Sequence, residues 1–272
     1  MSRIARVLSI ASSDSGGGAG IQADLRAFAA AGCHGSSVIV ALTAQNTREV
    51  RAVHTVPPWF VDTQLAAVFD DIGVDAAKTG MLFSAETIES VAAFLATHPV
   101  PLVVDPVMVA SSGARLLRED AVGAMVRSLF PLATVITPNV LEARALTGTG
   151  GSRRELAERL HTMGAAAVIV TGGHGDDPVD HLFDGRRHLE IGVPRHSIAA
   201  THGAGCTHSA TLAALIAQGW PLEEAARHAA AIAAAAIARG LTEIGGGDGP
   251  VDVLDVRSRV QARPMVASGG SR

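Results

Sequence analysis

Short, nearly continuous apolar runs alternate with Ala- and Leu-rich segments of helical period along most of this 272-residue chain. Arg6–Ala11 predicts a first strand, followed by a Gly-rich loop and a helix from about Ile21 to Ala31. Ser37–Leu42 predicts a second strand, and Val50–Val56 a third extended piece that stops at Pro57-Pro58. Helical segments near Trp59–Ile72 and Ala85–Ala96 bracket a short strand and turn at Ala76–Met81. Pro101–Val104, Thr134–Thr137 and Ala167–Thr171 read as further strands, and Ser152–Met163 as a helix opened by a Ser152/Glu155 capping box. Asp180–Leu189 predicts a hairpin turning at Asp184-Gly185, before two helices at about His208–Gln218 and Leu222–Arg239. Apolar strands with helices between them imply an α/β fold: a mostly parallel central sheet covered by helices on both faces. With no linker and no repeat, residues 1–260 are expected to form a single domain, and 261–272 a disordered tail.

Composition narrows the function classes. Apolar residues make up 48% and charged residues 18%, enough for a sizeable core. A net charge of −4 and the lack of any Lys/Arg run argue against a nucleic-acid binder. Of 22 basic residues only Lys78 is a lysine. Cys33 and Cys206 are too few for a disulfide framework, and the opening apolar run is too short for a secretory signal. The longest apolar stretch, Ala229–Ala238, falls short of the ~20 residues a membrane span needs. The expectation is a soluble, cytoplasmic protein with no membrane and no nucleic-acid partner.

Five glycine-rich or polar turns follow predicted strands, and in open α/β sheets such turns share one ligand-binding rim. Thr201-His202-Gly203-Ala204-Gly205-Cys206-Thr207 is the most informative, because small residues at a helix start let backbone amides converge on an anion. Cys206 lies inside that turn, where a helix N-terminus is expected to lower a thiol's pKa and allow it to accept a proton. Ser13–Asp24 brings three consecutive glycines, and its Gly18–Ala23 segment matches a G-x-G-x-x-A dinucleotide fingerprint. That match is weak, since the loop is long and no acidic residue ends the second strand; a dehydrogenase and a simple capped turn both stay open. Thr43–Thr47 sets Gln45 and Asn46 where they can read a heterocycle's donor and acceptor edges, or merely form a polar loop. Asp105 ends a strand, and Asn139 opens a helix with Glu142 one turn in. Asp105 and Glu142 are candidates to hold Mg²⁺ through water, the alternative being a cap or a solvated charge. Met81 and Met108 also read as core, and the eleven histidines show no metal-ligand spacing.

Together these residues resemble the hydroxymethylpyrimidine kinase/phosphomethylpyrimidine kinase family of the ribokinase-like superfamily. The matching segments are Ser13–Asp24, ALTAQNT at 41–47, KTGML at 78–82, VDPVM at 104–108, TPNVLEA at 137–143, GGH at 172–174 and HGAGCT at 202–207. The resemblance implies a ribokinase-like fold with a small β lid near Ser37–Val56, ATP and Mg²⁺ as cofactors, and a homodimer. It implies as substrate 4-amino-5-hydroxymethyl-2-methylpyrimidine and then its monophosphate, for thiamine synthesis. It places Gln45 on the pyrimidine, with Ala19, Asp24, Met81 and Val107 lining or supporting its pocket. Gly203, Ala204 and Gly205 become the anion hole, Cys206 the base, and Asn139, Glu142, Thr171 and Gly173 the neighbours of the ATP phosphates, with Asp105 nearby. A pyridoxine or pyridoxal kinase of the same fold, or an inactive binder of either ligand, is the alternative. Three positions depart from the family pattern: Thr171 stands for a lysine, Ala204 for a threonine and His208 for an apolar residue.

Overall fold

The computed structural model describes residues 3–108, 119–172, 178–194, 196–198 and 200–261. Their strands form one sheet: β1 (Arg6–Asp14), β2 (His34–Gln45), β3 (Val50–Thr55), β4 (Ala76–Thr79), β5 (Leu102–Val104), β6 (Val135–Ile136), β7 (Val168–Val170), β8 (Val179–Phe183) and β9 (His188–Gly192). Their order is β3-β2-β1-β4-β5-β6-β7-β8-β9. Pairing is parallel from β2 through β7 and antiparallel at the two edges.

Successive strand residues feed opposite cores, as the pleat requires. Leu102 and Val104 join Leu8, Ile10, Val38, Ile136 and Val168 in one cluster. Val103, between them, joins Val7, Val135 and Ile169 in the other. The first cluster is closed by α2 (Pro58–Ala67), α3 (Ala85–Thr97) and α6 (Arg153–Thr162), the second by α1 (Gly20–Ala30), α7 (Ala204–Ala217) and α8 (Leu222–Ala238). Burial on both sides is why these strands read as unbroken apolar runs.

The chain leaves β1 for β2 and β3 on one side and then crosses to β4 on the other, so the strand order reverses between β1 and β4. Crevices at the carboxyl ends of strands beside such a reversal are where open α/β sheets bind ligands. There the Asp14–Gly20 turn meets Lys78–Met81.

Several elements differ from expectation. β1 continues through Ser13-Asp14, so these residues end a strand rather than begin a loop. β2 runs on to Gln45, alternating buried Ala41 and Thr43 with exposed Leu42 and Ala44. The expected lid pair is therefore not separate: β2 pairs with β1 as far as Thr43 while already pairing with β3 from Ala41. The helix expected over Trp59–Ile72 is α2 followed by a wider π-turn at Val68–Ile72. The pattern did not predict α4 (Glu119–Ala124) or the turns at Met125–Leu132. α5 (Val140–Thr147) and α6 both open with capping boxes, Asn139/Glu142 and Ser152/Glu155. Gln261, expected to start the tail, closes α9 (Val256–Gln261), which Asp252 holds by accepting the Val256 amide at 2.7 Å. The expected tail beyond it lies outside the described residues. Among the described residues no helix is long and apolar enough to cross a membrane.

Candidate active site

The loops at the strand ends enclose a cavity of about 620 Å³, within the range of small-molecule sites. Ala19, Gln45, Met81, Asp105, Val107, Asn139, Glu142, Thr171 and Gly203–Cys206 all line it, as the rim argument requires. Gly173 lies outside the described residues.

The end of the cavity at α7 is built by two turns packed backbone against backbone. Gly203 precedes α7 at φ 82°, and a Cβ there would run into the Gly18 carbonyl, so only glycine fits. Ala204, expected in the anion hole, donates its amide to Thr201 O at 3.0 Å. Helix geometry leaves the next first-turn amides, Gly205 and Cys206, without intrahelical acceptors, and the helix dipole adds positive potential there.

Cys206 departs from expectation in its chemistry. The Gly20 amide at the start of α1 hydrogen-bonds the sulfur and Lys78 lies near, both favouring a thiolate. Burial outweighs them, with Asp24 and Asp105 adding to it, and pushes the thiol up to about 12. The expectation of a lowered value is therefore corrected: burial keeps Cys206 a thiol.

Asp24 is likewise corrected. It is fully buried and lies behind the cavity wall, bonded to Ser9 Oγ and to Lys78 Nζ at 2.9 and 3.0 Å. Lys78, also fully buried, does line the cavity and stands 4.0 Å from Asp105 Oδ2. Burial opposes its charge, but Asp24, Cys206 and Asp105 hold its pKa above the ordinary lysine value. The chain's single lysine is thus a buried, paired cation in the cavity wall, a position the sequence reading missed.

A second unforeseen pair joins the two turns. His202 Nε2 lies 2.9 Å from Asp14 Oδ2, and Asp14 also accepts the amides of Gly16, Gly18 and Ala19 at 2.8–3.0 Å. Burial would raise the Asp14 pKa, yet His202 and these amides hold it below the usual carboxylate range. Gln45 Nε2 lies 3.5 Å from His202, and its Oε1 accepts from Thr43 Oγ1 at 3.2 Å. Ala41, Met81, Phe83 and Val107 pack in one small apolar cluster, of which Met81 and Val107 line the cavity.

On the far side, Asn139 and Glu142 cap α5 reciprocally at 2.9 and 3.0 Å. Burial, and then Asp105, push Glu142 up to about 8. Asp105 accepts from Ser209 Oγ at 2.8 Å. Thr171 bridges to Asn139, and the following Gly172 donates to Asp180 Oδ1 at 2.7 Å.

Known proteins are similar to this chain. Residues 14–252 match the family model described as phosphomethylpyrimidine kinase. The thiamine biosynthesis bifunctional protein ThiED of Geobacter sulfurreducens is 51% identical over 264 residues, 93% of this chain but 54% of that protein. The chain thus spans about half the length of that relative. It matches 95% of the hydroxymethylpyrimidine/phosphomethylpyrimidine kinase of Rhizobium meliloti, at 50% identity over 252 residues and 90% of this chain. The ADP complex of Bacillus subtilis pyridoxal kinase superposes with a TM-score of 0.86 at 35% identity, covering 94% of this chain and 99% of that one. The fold is ribokinase-like, the dehydrogenase reading is set aside, and the chain belongs to the phosphomethylpyrimidine kinase family of phosphotransferases.

Proposed function

We propose that this protein phosphorylates 4-amino-5-hydroxymethyl-2-methylpyrimidine with ATP and then phosphorylates the monophosphate, supplying the pyrophosphate for thiamine synthesis. One observation carries the reading: Cys206 and the α7 amides close one end of a cavity whose wall also holds Gln45, Met81 and Val107. A ring against Met81 and Val107, read by the Gln45 amide, would present its hydroxymethyl group toward Cys206. The Gly205 and Cys206 amides would hold the transferring phosphoryl oxygens, where fixed dipoles act without reorganising. Lys78 would stabilise negative charge developing beneath them.

Asp105 and Glu142 fit a Mg²⁺ ion, because one is a buried and the other a half-buried oxygen donor, and their proximity raises Glu142. When bound, Mg²⁺ neutralises charge on the donor phosphates. Asn139 and Thr171 would border those phosphates, and Ala19 the pyrimidine. The same reading takes the enzyme to be a cytoplasmic homodimer; light scattering tests the dimer.

The likeness to pyridoxal kinase favours one second reading, pyridoxal as acceptor. A coupled assay of ADP release with hydroxymethylpyrimidine, its monophosphate and pyridoxal separates the two. Turnover of pyridoxal alone would overturn the pyrimidine reading. Ligand-induced thermal stabilisation with no ADP release would mean an inactive binder.

A further inference from the structure

One imidazole in the cavity wall makes no hydrogen bond among the described residues. His208, on the second turn of α7, is 5% exposed, and both its ring nitrogens are unsatisfied there. Its Nε2 lies 3.6 Å from Asp180 Oδ2. Asp180 is itself buried and is held in place by the Gly172 amide on its other oxygen. Buried polar groups are ordinarily satisfied, so an orphaned one facing a cavity calls for a ligand.

The charges around the cavity say what kind. Among its described lining residues, the side chains able to carry positive charge are Lys78, His202 and His208, against the carboxylates of Asp14, Asp105, Glu142, Asp180 and Asp248. Lys78 is engaged by Asp24, and His202 by Asp14. His208 faces Asp180 at 3.6 Å but makes no hydrogen bond to it, and Asp180 is held by Gly172, next to the Thr171–Asn139 bridge. A polyanion entering so acidic a wall needs a cation on that side.

We propose that His208, oriented by Asp180, binds the terminal phosphates of the donor nucleotide. As an imidazolium it has two N–H donors. One is directed to Asp180 and the other to a phosphate oxygen of a nucleoside di- or triphosphate. Thr171, beside it, has no charge to contribute. This rests on the nucleotide reading of the cavity given above.

Calorimetric titration of ADP, AMP and adenosine into the wild type, His208→Leu and His208→Gln tests it. A charge-assisted hydrogen bond to phosphate predicts that His208→Leu weakens ADP by about tenfold or more and leaves adenosine unchanged. His208→Gln, which keeps an N–H but no charge, should fall between, and it carries the test if the leucine variant does not fold. Asp180→Asn should also weaken ADP selectively. Unchanged ADP affinity in the variants would overturn the inference, as would an equal loss for adenosine, which marks a packing role. If the wild type bound neither ADP nor adenosine, the nucleotide reading itself would fall, and this inference with it.

Discussion

Replacing Cys206 with alanine should separate the two phosphorylations, because the two acceptors need different help. The thiol is held up to about 12, so pH 7.5 lies about 4.5 pH units below it. A hydroxymethyl group must lose its proton during transfer, and a positioned base contributes about 10²–10⁴-fold. A phosphate monoester, with its second pKa near ~6, is already largely dianionic at pH 7.5 and needs no base. Cys206→Ala should therefore lower kcat/KM for the hydroxymethyl substrate by about 10²–10⁴-fold and for the monophosphate by less than about tenfold. Since the thiol must give up its proton, wild-type kcat/KM for the first substrate should rise by up to about tenfold per pH unit from pH 7 toward 9.5, and this rise should vanish in Cys206→Ala. Glu142, pushed up to about 8, also titrates in that window. It serves the donor side for both substrates, so the ratio of the two rates isolates Cys206. The assay is coupled ADP release at low acceptor concentration over that pH range. Equal losses on both substrates, or a rate ratio that ignores pH, would refute the base assignment and leave Cys206 a positional role.

Two further outcomes follow from the buried charges. Lys78→Met strands the fully buried Asp24 carboxylate, a loss of about 3–5 kcal/mol that should lower Tm by about 6–20 °C; adding Asp24→Leu should recover part of it, and a shift under about 2 °C would show that the pair contributes little. Glu142, raised by burial from 4.5 to about 8, favours the fold while protonated. That stability is fully present below about pH 4.5 and lost as pH rises through 8. The Tm of the metal-free protein should thus fall from pH 5 to 8.5, Mg²⁺ should restore it mainly at the alkaline end, and Glu142→Gln should flatten both trends. A Tm indifferent to Mg²⁺ at pH 8.5 would count against Asp105 and Glu142 as its ligands.

The rim was legible because its signals are local. Apolar runs closed by Asp105, Thr137 and Thr171 mark strand ends, and Gly203 before an Ala-rich helix marks an anion turn. Glu142 shows where local signals stop. Cap and ligand looked like alternatives, yet its side chain caps α5 through Asn139 while facing the cavity. Cys206 shows a local rule overridden, since a helix start lowers a thiol's pKa only where burial does not outweigh it. Asp24 was misplaced although the means to place it were present. At helical spacing it shares a stripe with Ile21, Ala27 and Phe28, all buried in α1, and that stripe turns inward, away from the ligand loop. A carboxylate on such a stripe requires a partner. Parallel pairing sets Lys78 of β4 opposite Ser9 of β1, and Ser9 bonds Asp24. That partner is the sole lysine among 22 basic residues. Its position depended on strand order, which a reversal between β1 and β4 decides and which no residue near position 78 encodes.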